Sequence, residues 1–410
     1  MERDALDWRR AHRPGEATQP SGAHPRRAIR VKCITAEAAF AALAIEWNRL
    51  HDLTPSASVF NSWVWQYQWW RSYGGGQPLR VLVASQGDEV LGILPLYVQR
   101  ERAFGAQVSV LRLVGTGGDT HPDDLGPVLD ARHEREVARA LARAAVRAPE
   151  GDLLLVTDID PDTAFAEELE LAARRARRPA RVGRTERIVY IDLPASWDAY
   201  LASLSGNRRA EIRRARKRLA AAHAVRFFVW DDAARLDYAT ERLADLHRRR
   251  WAAAGGSESF ASREYLDFHR AVIGSSLARG WLRLYCLEID GTLVAMTYCY
   301  RFRNRVFVMQ GGFDPGWAQW KPGTVLLSHA IEHAIGEGNE VFDFLRGEHR
   351  YKDHLANGSR DTVYAAILRR NLRSLAYLLR PPYIPMQRNS LRSRAARAVR
   401  RFFRLREPAA

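Results

Sequence analysis

The sequence predicts a mixed α+β protein whose sheet contains parallel and antiparallel strands and which is built from two copies of one unit. Short apolar runs rich in β-branched residues alternate with longer segments of helical apolar periodicity. The order of these elements in residues 29–194 recurs in residues 195–375, with a hairpin turn at the equivalent place, Gly87-Asp88 in one and Asp290-Gly291 in the other. An internal duplication is the economical explanation.

The first unit is expected to follow residues 1–28, a polar, proline-containing tail whose composition is typical of disorder. Its predicted order is β-α-α-β-β-β-α-β-(α)-β. The strands are predicted at residues 30–35, 79–85, 89–98, 108–114, 152–158 and 187–193, and the first two helices at 37–51 and 62–73. Within the second helix, Trp63, Tyr67 and Trp70 share a face and are expected to pack on the sheet, which leaves Trp65 or Trp69 for a cleft.

The second unit repeats this order. Its strands are predicted at residues 225–229, 281–289, 292–302, 305–311, 341–345 and 362–370, and its helices at 207–223, 233–251, 263–279 and 324–337. The first of these helices is strongly basic and has Ile212, Ala215 and Leu219 on one narrow face. Its arginines suggest either a surface for an acidic or phosphorylated acceptor or a solvated helix between two domains.

The formal net charge of +16 makes nucleic acid, anionic lipid and phosphate-rich small molecules the candidate partners. Nucleic acid is the least favoured of these, since no zinc-finger, RRM or helix-turn-helix signature accompanies the charge. Three cysteines without metal-ligand spacing indicate a reducing, cytoplasmic location and no disulfide framework. We also expect no signal peptide and no membrane-spanning segment.

The segment from Met309 to Lys352 has the layout of a ligand-binding site. A strand ending in Gly311-Gly312 is followed by Lys321-Pro322-Gly323-Thr324, which opens a helix. A helix N-terminus offers free N–H groups and the positive end of a dipole, and Lys321 adds a charge suited to phosphate. The four residues predicted to bind a phosphate-containing ligand are Gly312, Lys321, Gly323 and Thr324. The alternative is that Pro322-Gly323 simply starts a helix.

The next strand ends in the sequence FDFLRGEHRYK, which concentrates charged side chains at the opening of the sheet. Asp343, Arg346 and Lys352 are expected to shape a pocket there, and Glu348 or His349 to relay a proton. The alternative is that Asp343 and Arg346 form a structural ion pair.

Several of these segments resemble a known family. They are the basic helix SGNRRAEIRRARKRL, the helix end LHRRRW, the hairpin LYCLEIDGTLVAMTYCY and the segments GGFDPGWAQWKPGTVLL and FDFLRGEHRYK. The sequence is similar to the CelD-like or BioF2-like acetyltransferases of the GNAT superfamily, relatives of the FemAB aminoacyl ligases. The resemblance implies tandem duplicated GNAT-like domains, of which residues 195–375 form the BioF2-like one.

The resemblance also implies transfer of an acyl group, most simply acetyl from acetyl-CoA, to an amine or hydroxyl of a small or carbohydrate-linked acceptor, with exopolysaccharide or envelope metabolism as context. Direct attack on the thioester needs a group that protonates the departing thiolate, for which Tyr298 and Tyr351 are candidates. The typical GNAT phosphate loop has several glycines, whereas this segment keeps only Gly323. The predicted catalytic residues are Asp343, Glu348, Lys352 and Tyr298, the substrate-binding residues are Arg346, Trp251 and Tyr351, and no metal is expected.

Two other functions stay open. FemAB-like aminoacyl transfer from charged tRNA would give the positive charge a use, and a catalytically silent scaffold at the membrane would keep the fold for binding. The tail of residues 376–410 contains a stretch with Leu391, Ala395, Ala398, Phe402 and Leu405 on one helical face and arginines elsewhere. This pattern predicts peripheral attachment to an anionic inner membrane, against docking on the protein body or disorder.

Overall fold

A computed structural model shows how these elements assemble, and it describes residues 28–120, 122–252, 259–260, 262–347 and 350–379. In this part of the chain the strands form one mixed sheet. The strands are β1 (Arg30–Ile34), β2 (Leu79–Gln86), β3 (Glu89–Ala103), β4 (Ala106–Leu113), β5 (Val128–Leu129), β6 (Leu153–Ile159), β7 (Ala180–Asp192), β8 (Val225–Val229), β9 (Leu282–Ile289), β10 (Thr292–Phe302), β11 (Arg305–Phe313), β12 (Val341–Asp343) and β13 (Gly358–Leu368).

The helices pack on the two faces of this sheet. They are α1 (Glu37–Ala41), α2 (Ala44–Leu53), α3 (Trp63–Tyr73), α4 (Glu134–Arg147), α5 (Ala164–Arg175), α6 (Trp197–Ser203), α7 (Gly206–Ala222), α8 (Leu236–Ala252), α9 (Arg263–Ala278), α10 (Pro322–Gly336), α11 (Arg350–Asp353) and α12 (Leu372–Leu379). The predicted mixed α/β architecture with two similarly ordered halves is confirmed.

The two halves are joined by an exchange of their last strands. The strand order is β1-β2-β3-β4-β6-β13-β7-β12-β11-β10-β9-β8, with β5 paired to β3. β13, from the end of the second half, therefore lies between two strands of the first half, while β7 of the first half pairs with β12 of the second. The order reads the same from both ends, so the sheet has a pseudo-twofold centre between β7 and β13.

The predicted boundary at residues 194 and 195 falls in the connection between β7 and α6. It separates the repeats in sequence but not in space, because each repeat completes the sheet of the other. Residues 1–27 and 380–410 lie outside the described part of the chain, and with them the predicted tail and almost all of the predicted amphipathic segment.

The tryptophan-rich helix α3 is rotated relative to the prediction. Trp65 and Trp69 are fully buried, whereas Trp63 and Tyr67 are only half-buried, and Trp70 alone of the predicted face is buried, against Tyr97 of the sheet. α3 packs against α9 of the second half, and the Trp65 ring meets Phe268 edge-on at 4.9 Å between centroids. A helix between two layers must bury more than one face, so the aromatic residues assigned to a cleft instead join the two halves.

Several further elements differ from the prediction. The helix predicted at residues 37–51 is two helices, α1 and α2, with a break between Ala41 and Ala44. The short strand β5 and the helices α6, α11 and α12 were not predicted. By contrast, both predicted hairpin turns are present, and Gly87, Asp290 and Gly291 adopt the positive φ angles that such turns require.

Candidate active site

The strands β11 and β12 run parallel for only three residues and then diverge. Arg305, Val306 and Phe307 pair with Val341, Phe342 and Asp343, after which β12 ends. The next part of β11, residues 308–312, has β10 on one side and a cavity on the other. Within this stretch Met309 is an extra residue, since Gln310 pairs with Tyr298 and Val308 with Cys299. Such β-bulges bend a strand and leave a residue unpaired, often beside an active site.

The helix α8 forms one wall of the cavity and touches β11 at Gly312. A Cβ atom at Gly312 would lie 2.3 Å from the backbone nitrogen of His247, so only glycine fits. The His247 ring is bonded through Nδ1 to the Gly311 carbonyl at 3.1 Å. Burial lowers the pKa of His247 to about 4, so the ring is neutral at pH 7 and Nδ1 is the protonated nitrogen that donates to Gly311. Gly312 therefore sets the spacing between helix and strand.

The N-terminus of α10 opens into the same cavity through Gly323 and Thr324. Lys321, the residue before this helix, has a left-handed backbone and provides no side-chain cap, whereas α3, α6, α7 and α9 each begin with a serine that caps the first turn. The Lys321 ammonium binds the Glu211 carboxylate at 2.7 Å, and Arg208 binds the same carboxylate at 2.7 Å. Two cations therefore lie beside a helix end that has no side-chain cap, and one of them, Arg208, lines the cavity.

The cavity measures about 480 Å³. Its lining contains backbone from residues 308–313 of β11 and apolar side chains from α7 and α10. Four cationic side chains reach it, and no carboxylate does among the residues described. The cations are Arg208, Arg250, Arg346 and Lys352. This charge favours an anionic ligand.

Lys352 holds the loop that follows β12. Its ammonium donates to the carbonyl oxygens of Phe344 at 2.9 Å, Leu345 at 3.2 Å and Arg346 at 2.7 Å. Leu345 has a φ of 53°, a conformation that a leucine rarely adopts, and its N–H is bonded to the Asp343 carboxylate. All three protons of Lys352 are therefore engaged in fixing a strained turn at the rim of the cavity.

Lys352 gives the protein a measurable dependence on alkaline pH. Burial lowers the pKa of Lys352 from 10.5 to about 8. The folded state then releases the proton more readily than the unfolded state, so the cost of burying the charge disappears as the pH rises from 8 to 10.5. Across this window we expect the free energy of unfolding of the wild type to rise by about 3 kcal/mol relative to that of a Lys352→Met variant. Urea unfolding measures both free energies. A difference between the two proteins that is independent of pH would contradict a buried lysine of lowered pKa.

A charged network connects this loop to the first half of the chain. The Arg346 guanidinium donates to Asp123 at 3.0 Å and also binds Asp158, and Arg360 bridges Asp124 at 2.7 Å and Asp343 at 3.0 Å. Burial opposes the charge on both arginines, but the facing carboxylates outweigh it and raise the pKa of Arg346 and of Arg360. These buried ion pairs lock the turn after β12 onto the first half.

The cavity brings together part of the predicted site. Arg346, Lys352, Tyr351, Trp251, Gly312, Gly323 and Thr324 line it. Asp343 lies outside the lining, fully buried and bound to Arg360, and Lys321 is held at the surface by Glu211. Tyr298 is also outside, fully buried against Tyr300. Glu348 and His349 are not among the described residues, and in the described part no group of His, Cys, Asp or Glu is arranged to hold a metal ion.

Sequence reasoning did not assign three residues of the site. His247 and Arg250 belong to the predicted helix end LHRRRW, and Arg208 belongs to the predicted basic helix. Nothing in these two sequences distinguishes the side chains that point into the cavity from those that point to solvent. The carboxylates Asp123, Asp124 and Asp158 were missed as well. Their signal was the acidic pair in HPDDLG and the TDID strand end, where charge interrupts apolar sequence.

The equivalent gap in the first half is filled by its own chain. β4 and β6 pair only over Val110–Arg112 and Leu153–Leu155, as β11 and β12 do. The segment between β4 and α4 then crosses the gap, where the Leu125 N–H donates to the Asp158 carbonyl at 2.9 Å and Leu125 bridges to Ile159. The same segment supplies Asp123 and Asp124 to the second half. The first repeat thus has no open gap at this place and contributes Asp123 and Asp124 to the surroundings of the cavity in the second.

The comparisons with known proteins agree with this architecture. Residues 206–353 match the family model described as an acetyltransferase (GNAT) domain. This match spans α7 to α11, the elements that form the cavity. This match identifies residues 206–353 as a GNAT-type acyltransferase domain. A comparison with curated protein sequences gives no significant match.

Several solved structures are similar to this chain at low sequence identity, and the likeness to FemX shows a shared fold. The crystal structure of FemX has a TM-score of 0.56 and 11% identity, covering 85% of this chain and 99% of FemX. L-PGS from Bacillus licheniformis has a TM-score of 0.44 and 12% identity, covering 73% of this chain and 86% of the other. A tandem GNAT protein from the clavulanic acid biosynthesis pathway has a TM-score of 0.42 and 14% identity, with coverages of 83% and 98%. The predicted duplicated GNAT fold is confirmed.

Proposed function

We propose that the chain transfers an acyl group, most simply acetyl, from an acyl-CoA to an amine or hydroxyl of a small or carbohydrate-linked acceptor. The observation that carries the proposal is the cavity between β11 and β12. It combines a free strand edge, an uncapped helix N-terminus and four cations in one space of about 480 Å³. A thioester donor with a long amide-containing arm and a diphosphate has the matching chemistry.

The donor would lie along β11 with its phosphates at α10. The free edge of residues 308–312 offers backbone groups to the amides of the pantetheine arm. Gly323 and Thr324 offer N–H groups of the first helical turn to the diphosphate, with Arg208 beside them. Lys321 contributes less directly than predicted, because Glu211 neutralises it.

The reaction requires three events at the thioester. The acceptor nitrogen or oxygen attacks the carbonyl carbon and loses a proton, the carbonyl oxygen gains negative charge, and the carbon–sulfur bond breaks as the thiolate takes up a proton. Tyr351 lines the cavity and is protonated, because burial raises the pKa of its hydroxyl. We assign it the proton donation to sulfur in preference to Tyr298, which lies outside the cavity. The cationic walls stabilise the developing oxyanion.

The acceptor is proposed to be small or carbohydrate-linked, with exopolysaccharide or envelope metabolism as context and a cytoplasmic location. These features rest on the resemblance to CelD-like and BioF2-like acetyltransferases. Arg250 at the cavity supports an acceptor that carries negative charge, whereas Arg346 and Lys352 are already bound to carboxylates and carbonyl oxygens.

A second candidate function is aminoacyl transfer from charged tRNA. The net charge of +16 and the fold shared with FemX favour it. Arg213, Arg214, Lys217 and Arg218 are exposed on the outer face of α7, beside the wall that carries Arg208. A basic helix at a donor site would serve a nucleic acid as well as a nucleotide, and the binding would then fall steeply with salt.

Acetyl-CoA is expected to stabilise the full chain against thermal unfolding, and free CoA thiol should be released only when an acceptor amine or hydroxyl takes up the acetyl group. Replacing Arg208 with glutamine should raise the Kd for acetyl-CoA about tenfold, because a charge-assisted bond to phosphate is lost. Arg213→Gln, on the exposed face of the same helix, is the matched control and should leave the Kd unchanged.

Different outcomes separate the candidates. No stabilisation by acetyl-CoA or longer acyl-CoAs at millimolar concentration would overturn acyl-CoA as donor. Co-purified RNA whose binding weakens steeply with salt would then support aminoacyl-tRNA. If neither acyl-CoA nor RNA binds and the C-terminal segment binds vesicles, a non-catalytic, membrane-associated binding protein would be favoured.

A further inference from the structure

The helix α12 is apolar on the side that faces solvent. Leu372, Leu375 and Leu379 share this outer face and are 83%, 52% and 62% exposed. On the opposite side Ser374 and Tyr377 are buried, and the Tyr377 hydroxyl accepts a bond from Arg112 at 3.1 Å. α12 is therefore attached to the sheet by one face and presents a leucine stripe on the other. A helix that is apolar on both sides normally has both sides covered.

The hairpin beneath α12 adds a second exposed apolar group. α12 packs on β3 and β4, and Phe104, at the turn that joins these strands, is 72% exposed. Phe104 has a φ of 48°, so a bulky residue occupies a turn position that glycine would fill with less strain. Two neighbouring elements therefore expose large apolar side chains, one of them in a strained backbone conformation, and this indicates a contact surface.

Arginines surround the leucine stripe. Arg370 and Arg373 are exposed at the start of α12, and Arg369 precedes them. Arg178 lies close by, since the Leu368 N–H donates to the Pro179 carbonyl at 2.8 Å. Burial and the charge of Arg369 together lower the pKa of Arg178. Asp152 accepts from Asn371 and Ser109, Glu101 binds Arg112, and the exposed Glu150 is paired with Arg80. The rim is therefore strongly positive.

We propose that the outer face of α12, with its arginine rim and Phe104, is a peripheral contact with an anionic membrane surface. The leucines would enter the boundary between headgroups and acyl chains while the arginines bind the phosphates. The sequence that follows α12, residues 380–410, contains nine arginines and one acidic residue and is therefore also strongly basic. No helix in the described part is long and apolar enough to cross a bilayer.

The positive charge of the rim favours a membrane over the two other candidate partners of this face, a second copy of the chain and the chain's own C-terminal segment. A second copy of the chain would bring an identical arginine rim against the first. The apolar stretch of residues 391–405 would bring its own arginines onto the same rim. Both arrangements place like charges together, which is destabilising, whereas an anionic lipid surface neutralises them.

The test is binding of the full chain to vesicles of phosphatidylcholine with and without phosphatidylglycerol. We expect binding only to the anionic vesicles. A Leu372→Ser/Leu375→Ser/Leu379→Ser variant should lose about tenfold in partition coefficient for each leucine that inserts. The matched control is Ile45→Ser, which replaces an 81% exposed apolar side chain on α2. Both variants alter exposed positions and should keep the thermal stability of the wild type.

Three results would overturn the proposal. In the first, the triple variant binds anionic vesicles as well as the wild type does. In the second, light scattering shows that the wild type is a dimer and the triple variant is a monomer. In the third, residues 391–405 are protected from hydrogen exchange in the wild type and lose this protection in the triple variant. The second and third results assign the face to another copy or to the chain itself. Because the assay measures vesicle binding alone, its outcome is independent of whether acetyl-CoA is the donor.

Discussion

Replacing Gly312 with alanine is expected to destabilise the protein by about 3–5 kcal/mol and to abolish donor binding. The added Cβ would lie 2.3 Å from the nitrogen and 2.6 Å from the Cα of His247, and 2.4 Å from the carbonyl carbon of Leu246. All three atoms belong to the backbone of α8, so no side chain can rotate away. The helix must move off β11, which breaks the bond between His247 and the Gly311 carbonyl and deforms the cavity. Urea unfolding and acetyl-CoA titration measure the two effects.

Gly323→Ala is the matched control, since it adds the same methyl group in the same cavity. There the nearest atom is Cδ1 of the Phe313 ring at 3.4 Å, an ordinary contact. Alanine is also favoured over glycine in a helix by about 1 kcal/mol, so this variant should be as stable as the wild type or slightly more stable. Equal stability of the two variants would contradict the close packing of β11 against α8.

Replacing Arg360 with methionine is expected to lower the free energy of unfolding by about 3–5 kcal/mol, which is the range for removing one partner of a buried ion pair. Arg360 bridges Asp124 and Asp343, which are 8% and 0% exposed, so both carboxylates would lose their cation without gaining water. Because β13 carries Arg360 into the first half, the lost contact also weakens the association of the two halves. A lower urea midpoint measures the effect.

The pH dependence of the Arg360→Met variant identifies the cause. Burial raises the pKa of Asp124 to about 6 although Arg360 opposes this, and removal of Arg360 raises the pKa further. A raised carboxyl pKa favours the folded state at low pH. The difference in free energy of unfolding between the wild type and the variant should therefore shrink below pH 6 and grow above it. Asp124→Asn in the same variant should restore part of the stability at pH 8.

A surface pair between the same halves provides the control. Arg187 binds Asp353 at 3.1 Å, with side chains 51% and 53% exposed. Arg187→Met should cost less than about 1 kcal/mol, because solvent screens the pair. A comparable loss from Arg187→Met and Arg360→Met would mean that burial of the network does not set its strength.

The local elements could be predicted from the sequence because each depends on neighbours in the chain. Apolar alternation and the Asp290-Gly291 turn located β9 and β10 to within one residue. The regular apolar face of the basic helix correctly placed Ile212 and Leu219 in the core. The repeat of element order was likewise visible, since it needs only the succession of strands and helices.

The strand exchange could not be predicted, because β13 has the same apolar pattern whether it pairs within its own repeat or with the other. The charged network was missed for the same reason. Asp123 and Arg346 are 223 residues apart and become neighbours only through the exchanged sheet. Tertiary contact also overrode the helical periodicity of α3, since both of its sides meet packed layers.

Within the candidate site, backbone features were predicted better than side-chain roles. The strand end at Gly311-Gly312 and the helix start at Pro322 follow from local rules and lie at the cavity. Asp343 and Arg346 were expected to act on a ligand or to pair with each other. Arg346 does line the cavity, but both side chains bind partners that are distant in the sequence, Arg360 and Asp123, which spacing along one segment does not reveal.

The exchange of β7 and β13 has a consequence for biosynthesis. When the first half leaves the ribosome, its sheet lacks the strand that belongs between β6 and β7, and nearly two hundred further residues separate β7 from the end of β13. Until residue 368 emerges, the hydrogen-bonding edges of β6 and β7 stay open, and an open edge pairs readily with other chains. The nascent protein therefore depends on completing translation before it can close its sheet, so a stalled or truncated product would be a substrate for chaperones and proteases rather than a working half-enzyme.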